Sequence, residues 1–358
     1  MELISLNERI SALHELSILF DVVVTSGTNN ITDFNLEIEN FKQECRKASV
    51  SNPWFDMSFI NYAISQWAKL LKETELKKWV APYSISDYND NPKKVAVVMA
   101  GNIPIVGMHD FVSVLITGNI FIGKCSHKDD VLLPAIANLL CKIQPKFKDY
   151  ISFESHILPK FDKIIATGSD STAKYFNKYV GKYPSIIRKN MNSVAVIDDT
   201  TSKDELSALA DDICLYFGLG CRSVSKIYIP DNVNISDVIF GIEKYRTLFS
   251  NHHRYSNNYV YRKSIYLINN TDNIHDNGFM LFQEDTSFLS PISVINYQKY
   301  SNLKDVVEEI KANADSIQCV VGSKKLSGLL DNVVSYGLSQ QPQLSDYADG
   351  VDTISFLE

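Results

Sequence analysis

The chain has 358 residues, of which 45% are hydrophobic and 22% charged, a composition typical of a globular protein long enough for about two or three domains. Its 35 basic and 42 acidic side chains give a formal charge of −7, which disfavours nucleic acid or an anionic membrane surface as the main partner, because both bind basic faces. The six cysteines have no regular spacing, the N-terminus does not resemble a signal peptide, and no stretch reaches the roughly 20 apolar residues of a membrane helix, so we expect a cytoplasmic protein without disulfides or membrane spans.

Residues 1–90 are predicted to be helical. Apolar and aromatic side chains recur at spacings of three and four between Trp54 and Leu71, which predicts an amphipathic helix with a core-facing stripe. Asn52-Pro53 is the predicted start of this helix, with Asn52 as its cap and Pro53 in its first turn.

Strands and helices then alternate. The predicted strands are Lys94–Met99, Asn119–Gly123, Lys163–Thr167 and Ser193–Ile197, and the predicted helices are Pro104–Thr117, Leu132–Ile143 and Ser171–Val180. This alternation predicts βαβ units on a parallel sheet with helices on both faces. Ligands of such sheets bind at the carboxyl ends of the strands, where Asn102, Lys124 and Gly168-Ser169 fall.

A second alternation occupies the rest of the chain. The predicted helices are Glu205–Phe217 and Val233–Leu248, and the predicted strands are Ser225–Ile229, Ser264–Ile268, Gly278–Phe282, Ile292–Ile295, Gln318–Val321 and Val351–Leu357. No disordered linker divides the halves. We therefore expect an α/β protein of two docked parallel-sheet domains, 1–190 and 191–345, with a C-terminal strand segment at 346–358.

Cys221 is the candidate nucleophile. It follows Gly218-Leu219-Gly220, whose glycines permit close approach of a ligand, and the next residue is Arg222, which favours a thiolate. The alternative is a buried apolar cysteine, which is how we interpret Cys214.

Two further patterns bear on ligands. Thr167-Gly168-Ser169 ends a strand and opens a helix, which offers backbone N–H groups to a phosphate, although an ordinary strand-to-helix turn has the same sequence. The seven histidines are scattered, and their spacing to cysteines and carboxylates predicts no metal site.

The order of these segments resembles the aldehyde dehydrogenase superfamily. Its "WNFP" oxyanion segment, "KPSE" ribose segment, "TGS" turn, "GQxC" nucleophile and "EExFGP" loop correspond here to Ala100–Pro104, Lys124–His127, Thr167–Ser169, Gly218–Cys221 and Glu284–Pro291. Within the superfamily, the chain resembles the fatty acyl-CoA reductase family of bacterial bioluminescence. Three segments carry this resemblance: MAGNIPIVGMHDFVSVLITGN, GKCSHKDD and YFGLGCRSVSKIYIP.

The resemblance implies an aldehyde dehydrogenase-like fold, a cofactor-binding first domain and a catalytic second domain. It implies that Cys221 takes an acyl group from acyl-CoA or an acyl carrier, while Asn102 and the Cys221 N–H stabilise the oxyanion. The cofactor-binding residues it implies are Lys124, Ser126, His127, Thr167, Gly168, Ser169 and Glu284. NADPH is expected over NADH, because His127 stands where the superfamily's NAD-selecting Glu would lie and Lys128 follows. A homo-oligomer is a further expectation.

One departure from the superfamily's motifs favours reduction of a thioester over its hydrolysis. Ile187-Arg188-Lys189 occupies the place of the "ELGGK" segment, so the Glu that activates water in hydrolytic members is absent. A base of that kind would promote hydrolysis of an acyl-enzyme thioester to the acid. A reductase must instead preserve this thioester until hydride transfer. Leu219 also replaces the Gln of "GQxC". Aldehyde oxidation, acyl-phosphate reduction and a catalytically silent scaffold stay open as alternatives, and the joint presence of Cys221, Asn102 and Glu284 disfavours the last.

Overall fold

The computed structural model describes residues 2–25, 33–168, 182–189 and 191–358. Ser169 and the predicted helix Ser171–Val180 lie outside the described residues. The chain forms two compact units, Met1–Lys189 with Gln343–Glu358, and Asn190–Pro342. No helix in the described ranges is long and apolar enough to cross a membrane.

The first unit begins with four helices, α1 (Leu6–Thr25), α2 (Asn35–Ser51), α3 (Met57–Leu70) and α4 (Glu73–Val80). The core-facing stripe is confirmed in part: Phe59 and Ala63 are buried, together with Ile60 and Ile64, whereas Tyr62 and Trp67 are half-buried.

The predicted start of α3 at Asn52-Pro53 is wrong. The cap is Asp56, whose carboxylate accepts a hydrogen bond from the Ser58 N–H at 2.8 Å. Asn52 instead terminates α2 and donates from its side chain to the Lys128 carbonyl at 3.0 Å.

The sheet of the first unit contains β1 (Lys94–Val98), β2 (Ile120–Lys124), β3 (Ile151–Phe153), β4 (Lys163–Thr167) and β5 (Ser185–Arg188). All neighbouring strands are parallel, in the order β3-β2-β1-β4-β5. Helix α5 (Met108–Ile116) connects β1 to β2, and α6 (Leu132–Ile143) follows β2. Successive strands are added on one side of β1 up to β3 and on its other side from β4 onwards. This reversal of strand order, between β1 and β4, is where ligands bind in doubly wound sheets.

The second unit contains β6 (Asn192–Val196), α7 (Lys203–Cys214), β7 (Val224–Pro230), α8 (Ile235–Ile242), α9 (Arg246–Asn251), α10 (His253–Ile268), β8 (Ile274–Asp276), β9 (Leu281–Glu284), β10 (Val294–Tyr300), α11 (Leu303–Ala312), β11 (Ile317–Gly322) and β12 (Val333–Val334). Its strand order is β12-β11-β6-β7-β10-β9-β8, and only the β8–β9 pair is antiparallel among the described strands. Val194, Tyr228, Ile310 and Val320 belong to its core.

Three predictions in the second half are wrong. Ser264–Ile268 is the last part of α10 and not a strand, because Tyr255 and Tyr259, four residues apart, are buried on one face of a continuous helix. The single helix predicted over Val233–Leu248 is divided by a short 3-10 helix, Glu243–Tyr245, into α8 and α9. The strand predicted at Gly278 begins only at Leu281, since Gly278 has a φ of 90°.

The C-terminal strand predicted over Val351–Leu357 is also wrong. The structure has a helix there, α12 (Thr353–Leu357), whose cap Asp352 accepts from the Ser355 N–H at 3.0 Å. Thr353, Ile354 and Leu357 are its buried residues, a helical spacing that β-branched side chains disguise. This segment belongs to the first unit.

Candidate functional site

Asn102 lies in the turn between β1 and α5, half-buried. Gly101 beside it allows close contact with the loop after β2, because a Cβ on Gly101 would lie 2.9 Å from the Ser126 Cβ. Ile105 of the same turn has a φ of 51°, a left-handed conformation that costs a β-branched residue about 1–3 kcal/mol. Such strain persists only where surrounding contacts impose it.

Asp129 supplies such a contact. Its carboxylate accepts from the Ile105 N–H at 3.1 Å and from the Leu132 N–H at the start of α6 at 3.3 Å. Burial raises the pKa of Asp129 to about 6. The carboxylate therefore joins the turn that carries Asn102 to the loop that follows β2.

The described cofactor residues that the sequence predicts in the first unit lie at the same edge of its sheet, since β2, β1 and β4 are neighbours. Lys124 ends β2 and donates from Nζ to the His156 carbonyl at 2.5 Å. Ser126 is half-buried and accepts from the Lys128 N–H at 3.3 Å, while the His127 side chain is exposed. Thr167 ends β4.

Gly168 follows Thr167 at the end of β4, and its N–H donates to the Arg188 carbonyl at 3.4 Å. One of the backbone donors proposed for a phosphate is thus engaged by the neighbouring strand.

At the end of β5, Arg188 forms a buried bidentate ion pair with Asp110, with N–O distances of 2.6 and 2.8 Å. Thr353 lies 3.2 Å from the same guanidinium. The residue that the sequence resemblance places at the Glu of hydrolytic aldehyde dehydrogenases is thus a paired cation.

Cys221 lies in the second unit, between α7 and β7. Tyr216, Phe217 and Gly218 have φ values of 56°, 55° and 73°, so three consecutive left-handed residues turn the chain sharply before it reaches the cysteine. Tyr216 and Phe217 are buried, and their packing fixes this conformation. The Cys221 side chain is half-buried.

Hydrogen bonds fix the backbone on each side of Cys221. Ser193 at the start of β6 donates from Oγ to the Cys221 carbonyl at 2.9 Å. The Gly220 N–H donates to Ser223 Oγ at 3.2 Å, and Gln340 Nε2 donates to the same oxygen at 3.2 Å. Arg222 donates from Nε to the Ser339 carbonyl at 2.5 Å.

Asp212 of α7 anchors the segment that these residues contact. Its carboxylate accepts from the Gly337 N–H at 2.6 Å and the Ser339 N–H at 2.8 Å. Burial raises the pKa of Asp212 to about 6. Asp212 thus positions Ser339, which in turn binds Arg222 beside the cysteine.

Other cysteines have unreactive surroundings. Burial raises the pKa of Cys45 and of Cys125 to about 12, and the pKa of Cys214 lies well above the ordinary thiol value. The interpretation of Cys214 as a core residue is confirmed, since it has no exposed surface. A thiol held neutral is a poor nucleophile.

A pocket of about 170 Å³ lies beside the cysteine loop. Its lining combines apolar and polar side chains. The apolar ones include Met191, Ile213, Phe217, Leu219, Val224, Met280, Leu289, Ile292 and Val294, and the polar ones are Asn192, Ser223, Ser225, Ser290 and Ser293. Many of these residues lie at the amino ends of β6, β7 and β10.

Glu284 ends β9, and its side chain is exposed. The segment 285–293 that follows it supplies Leu289–Ser293 to the pocket. This segment is held by Ser225, Lys226 and Asn296, none of which the sequence reasoning identified.

No group of three or more His, Cys, Asp or Glu side chains in the described part of the chain is placed to hold a metal ion.

Comparison with known proteins identifies the family of this chain. The family model for acyl-CoA reductase (LuxC) matches residues 74–350. The chain belongs to the acyl-CoA reductase (LuxC) family.

Two curated proteins resemble this LuxC-family chain over part of its length. A long-chain acyl-protein thioester reductase 2 from Photobacterium leiognathi is 24% identical over 176 residues, 44% of this chain and 37% of that protein. A long-chain acyl-protein thioester reductase from Aliivibrio fischeri is 26% identical over 160 residues, 40% of this chain and 33% of that protein. The matched region therefore spans only about a third of the length of these relatives.

The fold of this LuxC-family chain is that of aldehyde dehydrogenases, as expected. A NAD-dependent benzaldehyde dehydrogenase from Corynebacterium glutamicum superposes with a TM-score of 0.63 at 13% identity, over 92% of this chain and 81% of that chain.

Proposed function

We propose that this chain reduces an acyl thioester to the aldehyde with a reduced nicotinamide cofactor, through an acyl group carried on Cys221. The observation that carries the proposal is the half-buried Cys221 on a tight turn whose neighbouring residues, Phe217–Gly220 and Ser223, line a pocket. Membership of the LuxC family and two relatives named long-chain acyl-protein thioester reductases support it. The pocket size suits the part of an acyl group nearest the thioester.

In the first half-reaction, the Cys221 thiolate attacks the thioester carbonyl carbon, and the carbonyl oxygen becomes an oxyanion. We assign the Cys221 backbone N–H and the Asn102 side-chain amide as its hydrogen-bond donors, since preorganised donors stabilise developing charge most effectively. Collapse breaks the bond to the carrier sulfur, which leaves as a thiolate and takes up a proton, and the acyl group remains on Cys221.

In the second half-reaction, the acyl carbon on Cys221 would accept a hydride, which is the chemistry that a reduced nicotinamide cofactor held by Lys124, Ser126 and Thr167 would supply. The resulting thiohemiacetal oxyanion is stabilised by the same donors. Its collapse breaks the carbon–sulfur bond to Cys221, releases the aldehyde and restores the thiolate. Because Arg188 is paired with Asp110 where a water-activating Glu would stand, the acyl group is protected from hydrolysis.

The residues at the edge of the first sheet fit a dinucleotide. Lys124, Ser126 and Thr167 supply a cation and two hydroxyls beside the reversal point of the strand order, which is the usual place for a dinucleotide. His127 and Lys128 are exposed and carry no negative charge. A carboxylate there would repel a 2′-phosphate, so its absence favours NADPH over NADH. Glu284 is assigned to the nicotinamide ribose.

The test is a panel of acyl-CoAs of increasing chain length and an acylated carrier protein, each with NADPH or NADH. We expect aldehyde, trapped as a hydrazone, to form in proportion to cofactor oxidised, and mass spectrometry to find the acyl group on the Cys221 peptide. Acid as the product, turnover only with acyl phosphates, or oxidation of aldehydes as the faster reaction would each replace this proposal. Absence of any acyl label would indicate a silent scaffold.

A further inference from the structure

The segment 285–293 makes an unusual connection. It joins β9 to β10, which are parallel neighbours paired from Leu281↔Val294 to Glu284↔Tyr297. Parallel neighbours need a crossover of roughly a dozen or more residues, usually a helix. Here a shorter, non-helical segment returns the chain along the length of β9, so something other than its own secondary structure must hold it.

Three side chains of the sheet bind carbonyls of this segment. Lys226 Nζ donates to the Thr286 carbonyl at 2.6 Å, and Ser225 Oγ donates to the Phe288 carbonyl at 2.7 Å. Asn296, the cross-strand partner of Lys226, donates from Nδ2 to the carbonyls of Ser287 and Leu289 at 2.9 and 3.2 Å.

A β-bulge explains why the adjacent residues Ser225 and Lys226 both reach the segment. Val224 pairs with Ser193 and Lys226 with Val194, so Ser225 is an extra residue in β7. In a regular strand, successive side chains point to opposite faces. Bulges re-aim side chains and recur next to active sites, and this one lies a few residues after Cys221.

Burial of the charged Lys226 side chain at this position costs desolvation free energy. Its side chain has 0% exposed surface, and Nζ lies 2.9 Å from Glu309 Oε1. The ammonium also lies 4.6 and 4.5 Å from the ring centroids of Tyr228 and Phe288. Replacement of a buried ion pair by apolar side chains is often neutral or stabilising, so stability does not explain the lysine. Its contacts to Thr286 and Phe288 do, because both belong to the returning segment.

We propose that Lys226, together with Ser225 at the bulge, is a positioning residue for the reaction. It holds the 285–293 segment so that Glu284 stays at its start for the cofactor and Leu289–Ile292 stay in place against the acyl chain. The inference rests on the proposed function, and it assigns substrate and cofactor fit to Lys226, which does not line the pocket. Ser225 also lines the pocket, so its variant is judged by hydrogen exchange of the segment as well as by KM.

The experiment compares Lys226→Met and Ser225→Ala with Tyr228→Phe. Tyr228 donates to the same Glu309 oxygen as Lys226, at 2.9 Å, and forms no hydrogen bond with the segment. Tyr228→Phe therefore reports what the buried network contributes to stability alone. We expect Lys226→Met to raise KM for both acyl-CoA and NADPH by about tenfold or more, Ser225→Ala to raise them less, and Tyr228→Phe to leave them unchanged.

Two readouts do not depend on turnover. Hydrogen exchange of peptides covering 281–297 is expected to accelerate in Lys226→Met and Ser225→Ala, because the Asp285 and Ser287 N–H groups are bonded at 3.0 and 2.7 Å only while the segment is in place. Alkylation of Cys221 by iodoacetamide is expected to keep its rate, since its own loop is intact.

The outcomes separate the two proposals. If the wild-type protein reduces no thioester, the proposed function fails, and the exchange data still decide whether Lys226 holds the segment. Equal changes in KM and exchange in Tyr228→Phe and Lys226→Met would overturn the positioning role in favour of general stability. If Lys226→Met does not fold, Ser225→Ala decides, and unchanged exchange and KM in that variant would overturn the proposal.

Discussion

The two sheets offer most of their candidate residues at opposite edges, and Glu284, at the carboxyl end of β9 in the second sheet, is the exception. In the first unit, Asn102, Lys124 and Thr167 lie at or just beyond the carboxyl ends of β1, β2 and β4, which is where ligands bind in doubly wound sheets. In the second unit, Cys221 precedes β7, and the pocket beside it is built at the amino ends of β6, β7 and β10.

Where the strand order of the second sheet reverses, its carboxyl edge is filled by its own hydrogen bonds, and a pocket lies elsewhere on this edge, just after β7. Asp198, just after β6, accepts from Ser323 Oγ at 2.6 Å and from the Thr200 N–H at 2.8 Å. Tyr336 donates to the Val196 carbonyl at 2.7 Å. This is the point where the strand order reverses between β6 and β11, so the general rule would have placed a ligand there. The comparison teaches that strand direction alone does not locate a site, because Asp198 and the Val196 carbonyl at this reversal point already have hydrogen-bond partners.

The largest expected effect tests the amino edge of the second sheet. Cys221→Ala is expected to lower reductase activity by about 10⁴-fold or more, because the covalent step is lost. Mass spectrometry after incubation with acyl-CoA should find no acyl group on this variant and an unchanged level on Cys141→Ser, a half-buried control. An acyl group on Cys214 or Cys125 in the wild-type protein would move the nucleophile elsewhere.

The next effect tests the carboxyl edge of the first sheet. Asn102→Asp keeps the shape and removes the amide donor, so we expect kcat to fall by about 10²–10³-fold with the melting temperature nearly unchanged. Stopped-flow measurement of acylation and hydride transfer would show which half-reaction slows. Normal turnover with reduced thermal stability would mean that Asn102 only supports the turn before α5.

Asp129 and Asp212 allow the two sites to be compared directly, because each carboxylate binds two backbone N–H groups beside its site. Burial raises each pKa from 3.8 to about 6, so the folded state binds protons more tightly than the unfolded state. The resulting stability is complete below pH 3.8 and is lost as pH rises through 6. From pH 4 to 7, each wild-type carboxylate should lose at most about 3 kcal/mol relative to its Asn variant.

Urea denaturation of Asp129→Asn, Asp212→Asn and the wild-type protein across this pH range measures that difference. Parallel pH profiles for wild type and variant would show that the carboxylate does not titrate on folding. A difference confined to one variant would show that only one of the two sites depends on a buried carboxylate.

The smallest expected effect concerns cofactor choice at the end of β2. His127→Glu should shift the ratio of kcat/KM for NADPH over NADH towards NADH by about tenfold, through hydrogen bonding to a ribose hydroxyl and repulsion of a 2′-phosphate. His253→Glu makes the same charge change at an exposed residue of the second unit and should leave the ratio alone. A wild-type preference of about tenfold for NADH would contradict the assignment.

Much of the first sheet could be predicted from sequence, because its central strands are short apolar runs that end at turn residues. β1, β2 and β4 were predicted close to their observed bounds, and the candidate residues of β1 and β2 lie at the predicted strand ends. The failures have local causes. Asp352 and Asp56 cap helices that β-branched residues or an Asn-Pro pair obscured.

The sequence by itself determined the alternation of strands and helices, the family resemblance and the choice of Cys221, since each depends on residues close together in the chain. Only the tertiary structure decided the strand order, the position of the pocket beside the Cys221 loop and the fixation of the 285–293 segment. Lys226 meets Glu309 across 83 positions of the chain, and Ser193 reaches the Cys221 carbonyl across 28. A lysine within the apolar run of β7 was the sequence signal for the role of Lys226. Periodicity, however, reports which residues are buried and cannot identify their partners.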